Sequence, residues 1–215
     1  MKETTTVGRE KTRQRMTGEE RRRQIVETTL RLVAARGVQG TTLHRIADEI
    51  GVTHPALYVH FPSRRDILLA AIDLVFQRML EVYQAFSQEN ALERLRAICE
   101  YHTDLVTSAS DGFVHPLFEF IAASPEEGLR DELAAREQML YRSLTDIVEE
   151  GQRQGTIRPD IDPPQAVFLL TSRHWAEYVM VLTRVTDTRY RARSLKMLDL
   201  VLQSISAPNS AASAD

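Results

Sequence analysis

TTLHRIADEIGVTHPALYVHF, residues 41–61, decides the fold. Leu43, Ile46, Ala47 and Ile50 recur at the spacing that places them on one face of a short helix, with Thr41 or Thr42 positioned to cap it. Gly51 stops that helix. Thr53 is positioned to cap another, Pro55 suits its first turn, and ALYVHF carries it to Pro62. Two helices joined through Gly51-Val52-Thr53 have helix-turn-helix spacing: Gly51 permits the sharp turn, Ala47 allows close approach, and Val52 and Leu57 are apolar plugs between the helices. The second helix of such a pair can lie in the major groove of DNA with its N-terminal residues presented to base edges.

Working outward, Ile25, Thr29, Leu32, Val33 and Arg36 follow a 3.6-residue stripe over about 18–36, which Gly37 ends. Ser63 caps a helix of about two dozen residues with the stripe Ile67, Leu68, Ala71, Leu74, Val75, Met79 and Val82. Five more helical stretches follow, at about 90–109, 113–123, 126–153, 163–184 and 187–206. Ser110-Asp111-Gly112, Ser124-Pro125, Gly151 with Gly155, and Pro159 with Pro163-Pro164 separate them. No alternating strand of useful length and no internal repeat occurs. The expected fold class is all-α, with about nine helices. The expected division is a flexible basic arm at 1–18, a helix-turn-helix DNA-binding domain at 19–65, a larger ligand-binding and dimerisation domain at 66–206 and a disordered tail at 207–215.

Composition fits this division. The chain has 215 residues, a formal charge of −3 and 43% hydrophobic residues. No uncharged apolar run approaches the roughly 18 residues that span a bilayer, and the polar N-terminus is unlike a secretory signal, so no membrane partner is expected. A single cysteine, Cys99, rules out an intrachain disulfide framework and suits a reducing cytoplasm. Residues 1–70 hold 13 Lys/Arg against 8 Asp/Glu, and the remainder holds 14 against 22. Near-neutrality is therefore the sum of a basic head suited to a polyanion and an acidic body.

Residues 21–71, RRRQIVETTLRLVAARGVQGTTLHRIADEIGVTHPALYVHFPSRRDILLAA, resemble the TetR family of bacterial transcriptional repressors. Thr41-Thr42, Ile46-Ala47, Gly51-Val52, Leu57-Tyr58 and His60-Phe61 stand where that family's pattern expects them. A weaker resemblance at 149–170, EEGQRQGTIRPDIDPPQAVFLL, looks like the link into the penultimate helix of the regulatory domain. Arg64 departs from the lysine common there, which keeps the charge and changes its geometry. The resemblance implies a cytoplasmic, ligand-responsive repressor with no enzymatic activity. Its homodimer binds a palindromic double-stranded operator through helix three and leaves when a small, largely apolar molecule enters the C-terminal domain. No cofactor or metal is implied.

The candidate DNA contacts are Thr42, Arg45, Thr53, His54, Pro55, Tyr58, His60 and Arg64. Thr42 and Thr53 offer hydroxyl and backbone donors to phosphate, or act as helix caps alone. Arg45 can reach backbone or a guanine edge, and Pro55 a thymine methyl. Tyr58 can press its ring on sugar with its hydroxyl on phosphate, or be a core aromatic. His54 and His60 flank the helix, and Arg64 is expected to clamp the backbone from the far side. Arg21, Arg22 and Arg23, with Lys11, Arg13 and Arg15 of the arm, can add minor-groove or phosphate contacts, but a solvated helix face is the default reading of such a run.

In the body, the stretch 163–184 carries Val167, Phe168, Leu170, Trp175, Tyr178, Val179 and Leu182, too many apolar positions for one face. The stretch 187–206 is similar, with Leu195, Leu198, Leu200, Leu202 and Ile205. Their second faces are expected to meet a partner subunit in a four-helix bundle, which an Asp at Leu202 would split. The candidate ligand-binding residues are Cys99, His102, Phe113, Phe118, Met139, Trp175 and Tyr178, mixed apolar and polar groups that equally suit an ordinary core. Cys99 and His102, spaced i, i+3, with His115, Glu119 and His174 elsewhere, are a weak metal-sensing signal without a C-x-x-C or H-E-x-x-H element. The rival class is an α-helical ligand-binding or enzyme-like bundle whose N-terminal helices mediate protein association.

Overall fold

A computed structural model describes residues 16–107 and 114–208 and shows nine helices among them. They are α1 (Gly18–Gly40), α2 (Leu43–Ile50), α3 (His54–Leu57), α4 (Arg64–Ala85), α5 (Ala91–Thr107), α6 (Val114–Glu127), α7 (Arg130–Gln154), α8 (Pro163–Leu182) and α9 (Tyr190–Ile205). The all-α expectation holds. The only pairing outside helices among these residues is a bridge between Ile157 and Ser206, flanked by Arg158 N–H to the Ile205 carbonyl at 2.9 Å, which ties the α7–α8 link to the end of α9.

α1 to α3 form a small head on a core of Ile25, Val33, Ile46, Leu57 and Phe61, all buried. α1 starts with a full capping box between Thr17 and Glu20. It bends at Gly37 (φ 70, ψ 171), where the sequence predicts its end, and turns again as far as Gly40. Thr42 caps α2, accepting from the Arg45 N–H at 3.3 Å. Gly51 adopts the left-handed conformation (φ 69) that glycine reaches without strain, which turns the chain into α3.

α4 to α9 form the body. α4 packs on α1, α6 and α7, so one helix belongs to the seam between head and body. α5 lies against α7, α8 and α9. Gly151 sits where a Cβ would come within 2.5 Å of Ile157 and 3.2 Å of Ala91, so its lack of a side chain sets the approach of α5 and the α7–α8 link to α7.

Several expectations need correction. Pro125 does not break α6; it lies in the last turn, where a missing N–H costs a single hydrogen bond. The break falls at Gly128 (φ 65), so α7 begins at Arg130 rather than 126. α3 is one turn, His54–Leu57, and Tyr58 to His60 continue as a turn rather than as helix. Thr53 occupies the N-cap position, but its side chain makes no cap hydrogen bond. Residues 1–15 of the arm, the tail beyond 208 and Phe113 lie outside the described residues, while Thr17 and Gly18, placed in the arm by the sequence, cap and begin α1.

Candidate nucleic-acid interface and interior cavity

The short α3 and the turn after it leave most of the predicted contact residues facing solvent. Thr42, Arg45, Thr53 and Pro55 are exposed, Tyr58 is 50% exposed, and His54 and His60 are half-buried. Leu57 and Phe61, at the alternate positions, are buried in the head core. That alternation settles Tyr58: its ring stands outward, edge-on to the His54 ring with centroids 5.3 Å apart. Arg45 holds the Gly40 carbonyl at 2.6 Å through Nη1, which braces α2 against the end of α1. Val59, at 80% exposure, extends the surface with a methyl-bearing side chain that sequence reasoning passed over because it read ALYVHF as helix. Arg22 is structural: from an exposed position on α1 it donates to the His60 carbonyl and lies 4.1 Å over the Phe61 ring, fixing the turn.

Arg64 is not a free phosphate clamp. Its Nε donates to the Thr41 carbonyl at 2.9 Å, its Nη2 to the Val38 carbonyl and its Nη1 to Glu127 Oε2 at 2.8 Å. Each of its three nitrogens is therefore engaged within the chain. The arginine fork satisfies two carbonyls at the end of α1 while pairing with the last residue of α6. A lysine point charge could not make all three bonds.

The body contains a polar network under an apolar shell. Arg173 and Glu177 on α8 form a buried ion pair. Arg173 Nη1 also donates to Thr103 Oγ1 of α5 at 2.7 Å and Ser194 Oγ of α9 at 2.8 Å, and Nη2 donates to the Cys99 carbonyl at 3.2 Å. Glu177 accepts from Thr103 at 3.0 Å and from Ser194. Burial alone would raise the Glu177 carboxyl, but its hydrogen-bonding and charged neighbours, His102, Arg173 and Ser194, win and hold its pKa below the usual value. Beside this pair, His102 Nε2 and the Tyr178 hydroxyl are 2.7 Å apart, and the His102 and His174 rings stack at 3.7 Å. Burial pushes both imidazoles down, so both are neutral near pH 7. His174 Nε2 is buried with no hydrogen-bond partner.

Two spaces, each partly open to solvent, adjoin this network. A cavity of about 540 Å³ lies between α1, α4 and α5, walled by Leu30, Val75, Val82 and Ile98 and reaching His102. A smaller space of about 30 Å³ lies between α4, α7 and α8, and Met79 and Tyr83 line both. Trp175, Tyr178, His174, Tyr141 and Glu137 line the smaller one. The structure thus brings together His102, Phe118, Trp175 and Tyr178, with Phe118 edge-on to both Trp175 and Tyr178 at 6.0 Å. Cys99 is buried beside Arg173, its thiol pushed up to about 11 by burial, so it packs as a neutral group. Met139 is not part of the site: it is 47% exposed, on the face of α7 away from Leu140 and Leu144. Among the described residues no group of three or more His, Cys, Asp or Glu side chains could hold a metal ion, and no helix is long and apolar enough to cross a membrane. Sequence reasoning missed Arg173, Glu177 and Glu137; for the first two, charged residues in a helix with two apolar faces were the available signal, and Glu137 on amphipathic α7 carried none.

Comparison with known proteins agrees with this geometry. Residues 25–71 match the model of bacterial regulatory proteins of the tetR family, and residues 91–198 match that of the tetracyclin repressor-like C-terminal domain. The chain is 26% identical over 154 residues to the HTH-type transcriptional repressor KstR2 of Mycobacterium tuberculosis, covering 66% of this chain and 72% of that protein. It is 27% identical over 176 residues to the HTH-type transcriptional regulator RutR of Escherichia coli K12, covering 80% and 81%. Among solved structures it resembles the transcriptional regulator FadR of Bacillus subtilis, crystallised with stearoyl-CoA. The TM-score is 0.65 and the identity 20%, over 85% of this chain and 98% of that one.

Proposed function

The chain belongs to the tetR family of bacterial regulatory proteins, and from that premise we propose that it is a ligand-responsive repressor working as a cytoplasmic homodimer rather than as an enzyme. The observation that carries the DNA-facing half of this reading is the outward row Thr42, Arg45, Thr53, Pro55, Tyr58 and Val59, held by a buried layer that uses none of these side chains for packing. Arg45 reaches backbone or a guanine edge. Pro55 and Val59 meet thymine methyls, and Tyr58 lies along a sugar with its hydroxyl on phosphate. Thr42 and Thr53 add hydroxyls toward the backbone, with His54 and His60 at the flanks.

The dimer rests on a second observation. α8 leaves Phe168, Leu169 and Val179 exposed and α9 leaves Met197 and Leu200 exposed, on two helices packed side by side. Two copies of that face close into a four-helix bundle about a two-fold axis, which sets two recognition surfaces on one palindrome. Leu202, the position from which sequence reasoning tested the interface, is 2% exposed and belongs to the subunit's own core; Leu200 is the position that faces out. The effector occupies the spaces between α4, α5, α7 and α8. These have an apolar wall and a few polar groups, which suits a small molecule.

Selection of genomic fragments on the full-length chain tests the reading and should enrich one palindromic site whose binding weakens steeply with salt. Tyr58→Ala should then lower affinity for that site roughly tenfold at unchanged unfolding midpoint. Failure to enrich any palindrome would overturn the repressor reading in favour of a helical bundle with a protein-association head, and a large loss of stability in the variant would return Tyr58 to the core.

A further inference from the structure

We propose that the small space beside Glu137 is the seat of a protonated primary amine carried on an apolar body, which makes the effector a lipophilic amine; this rests on the reading of the chain as an effector-controlled regulator. Size is the first support. The smaller of the two spaces, about 30 Å³ against about 540 Å³, suits a compact head group rather than the body of a ligand. The apolar body lies in the adjoining cavity of about 540 Å³. Met79 and Tyr83 line both spaces, and a rotamer change in the unbranched Met79 side chain joins them.

Charge is the second support. Glu137 lines the small space and makes no hydrogen bond or ion pair among the described residues, and burial pushes its carboxyl pKa up. Its negative charge reaches Tyr83 and Tyr178, where, after burial, it helps raise the phenol pKa values. Half-buried among rings, the carboxylate has lost part of its hydration and has no cation beside it, and an arriving ammonium supplies that partner. His174 adds to the case. It is buried, its Nε2 has no partner, and its ring is held neutral, so it presents no charge that would repel a cation and can accept an ammonium N–H. Arg173, the nearest strong cation in the network, is already committed to Glu177.

The rings are the third support. Tyr83, Tyr141, Trp175 and Tyr178 all line the small space, with the Trp175 and Tyr178 rings perpendicular at 5.6 Å. Aromatic faces are electron-rich and attract a cation that has left water. An anionic head group would instead meet Glu137 as a like charge, and an uncharged one would leave that carboxylate unpaired.

Four probes of equal chain length separate these possibilities: octylamine, octyltrimethylammonium, 1-octanol and octanoate. Each is titrated into the full chain by calorimetry and by fluorescence of Trp175, the single tryptophan of the sequence. Octylamine should bind at least about tenfold more tightly than 1-octanol or octyltrimethylammonium. Glu137→Gln should erase that preference while Glu137→Asp keeps most of it. Equal or tighter binding of 1-octanol or octanoate, or a preference that survives Glu137→Gln, overturns the amine assignment. DNA release is read separately on the selected palindrome. Release by 1-octanol or octanoate alone leaves the effector reading standing and removes the amine site. Octylamine binding with an intact protein–DNA complex supports the amine site and counts against the effector reading.

Discussion

Arg173→Met is expected to destabilise the folded chain by about 3–5 kcal/mol, seen as a lower denaturant midpoint at unchanged slope. The substitution keeps most of the side-chain volume and removes the charge. What remains is Glu177, 2% exposed, still beside Thr103 and Ser194 and without its cation. A surface pair such as Arg193 with Asp187 at 2.9 Å contributes little, because water solvates either ion when the other is lost. No water reaches Glu177 to do the same.

The pH dependence supplies a diagnostic. In the intact protein Glu177 has a lowered pKa, so it contributes stability that is present above the unfolded carboxylate value and is lost as the pH falls. Without Arg173 the folded pKa moves up while His102 and Ser194 still act on the carboxylate, so less stability is left to lose as the pH falls. The deficit of Arg173→Met should therefore shrink on acidification. Arg173→Met combined with Glu177→Met should recover much of the loss. A single-variant loss below about 1 kcal/mol would show that the network is not dry.

Leu200→Asp is expected to give monomers at micromolar concentration and to lower operator affinity by at least about 100-fold, since a monomer reads one half-site and forfeits the gain from linking two. Leu200 is 61% exposed, so the variant leaves the subunit core untouched and should unfold at the wild-type midpoint. In the proposed dimer the same carboxylate would be buried twice across the two-fold axis, each facing apolar side chains. Leu202→Asp could not serve, because it would place a charge in the core and report on folding. A Leu200→Asp protein that still elutes as a dimer would move the interface off α8 and α9.

The head was legible because its determinants are local. Thr42 as cap, Gly51 as the left-handed corner and Leu57 as the buried plug are each dictated within a few residues of the chain, and each is where the pattern puts it. The length of α3 was not legible: ALYVHF has helical spacing, and only Arg22, distant in sequence, shows why the chain turns at His60. In the body the sequence marked His102, Phe118, Trp175 and Tyr178 by composition. It could not separate them from Met139, since α7 is amphipathic and which face meets α4 and α5 is a tertiary fact. Arg173 and Glu177 were passed over because a charged pair at i, i+4 reads as a solvated face. Its burial depends on Thr103 and Ser194 from two other helices. Arg64 misled for the opposite reason: its position suggested DNA, and its partners Val38, Thr41 and Glu127 are invisible to local spacing.

Those three bonds of Arg64 bear on anyone who would treat this regulator as a set of interchangeable parts. A chimaera joining residues 1–65 to a foreign sensor would carry the arginine across the splice and leave its carboxylate behind, since Glu127 lies 63 residues further on. The donated head would arrive with a cation aimed at an empty place and its hold on the body cut. Portability of this head therefore depends on transplanting a matching acid into the recipient, and a splice chosen from the linear map alone misses that requirement.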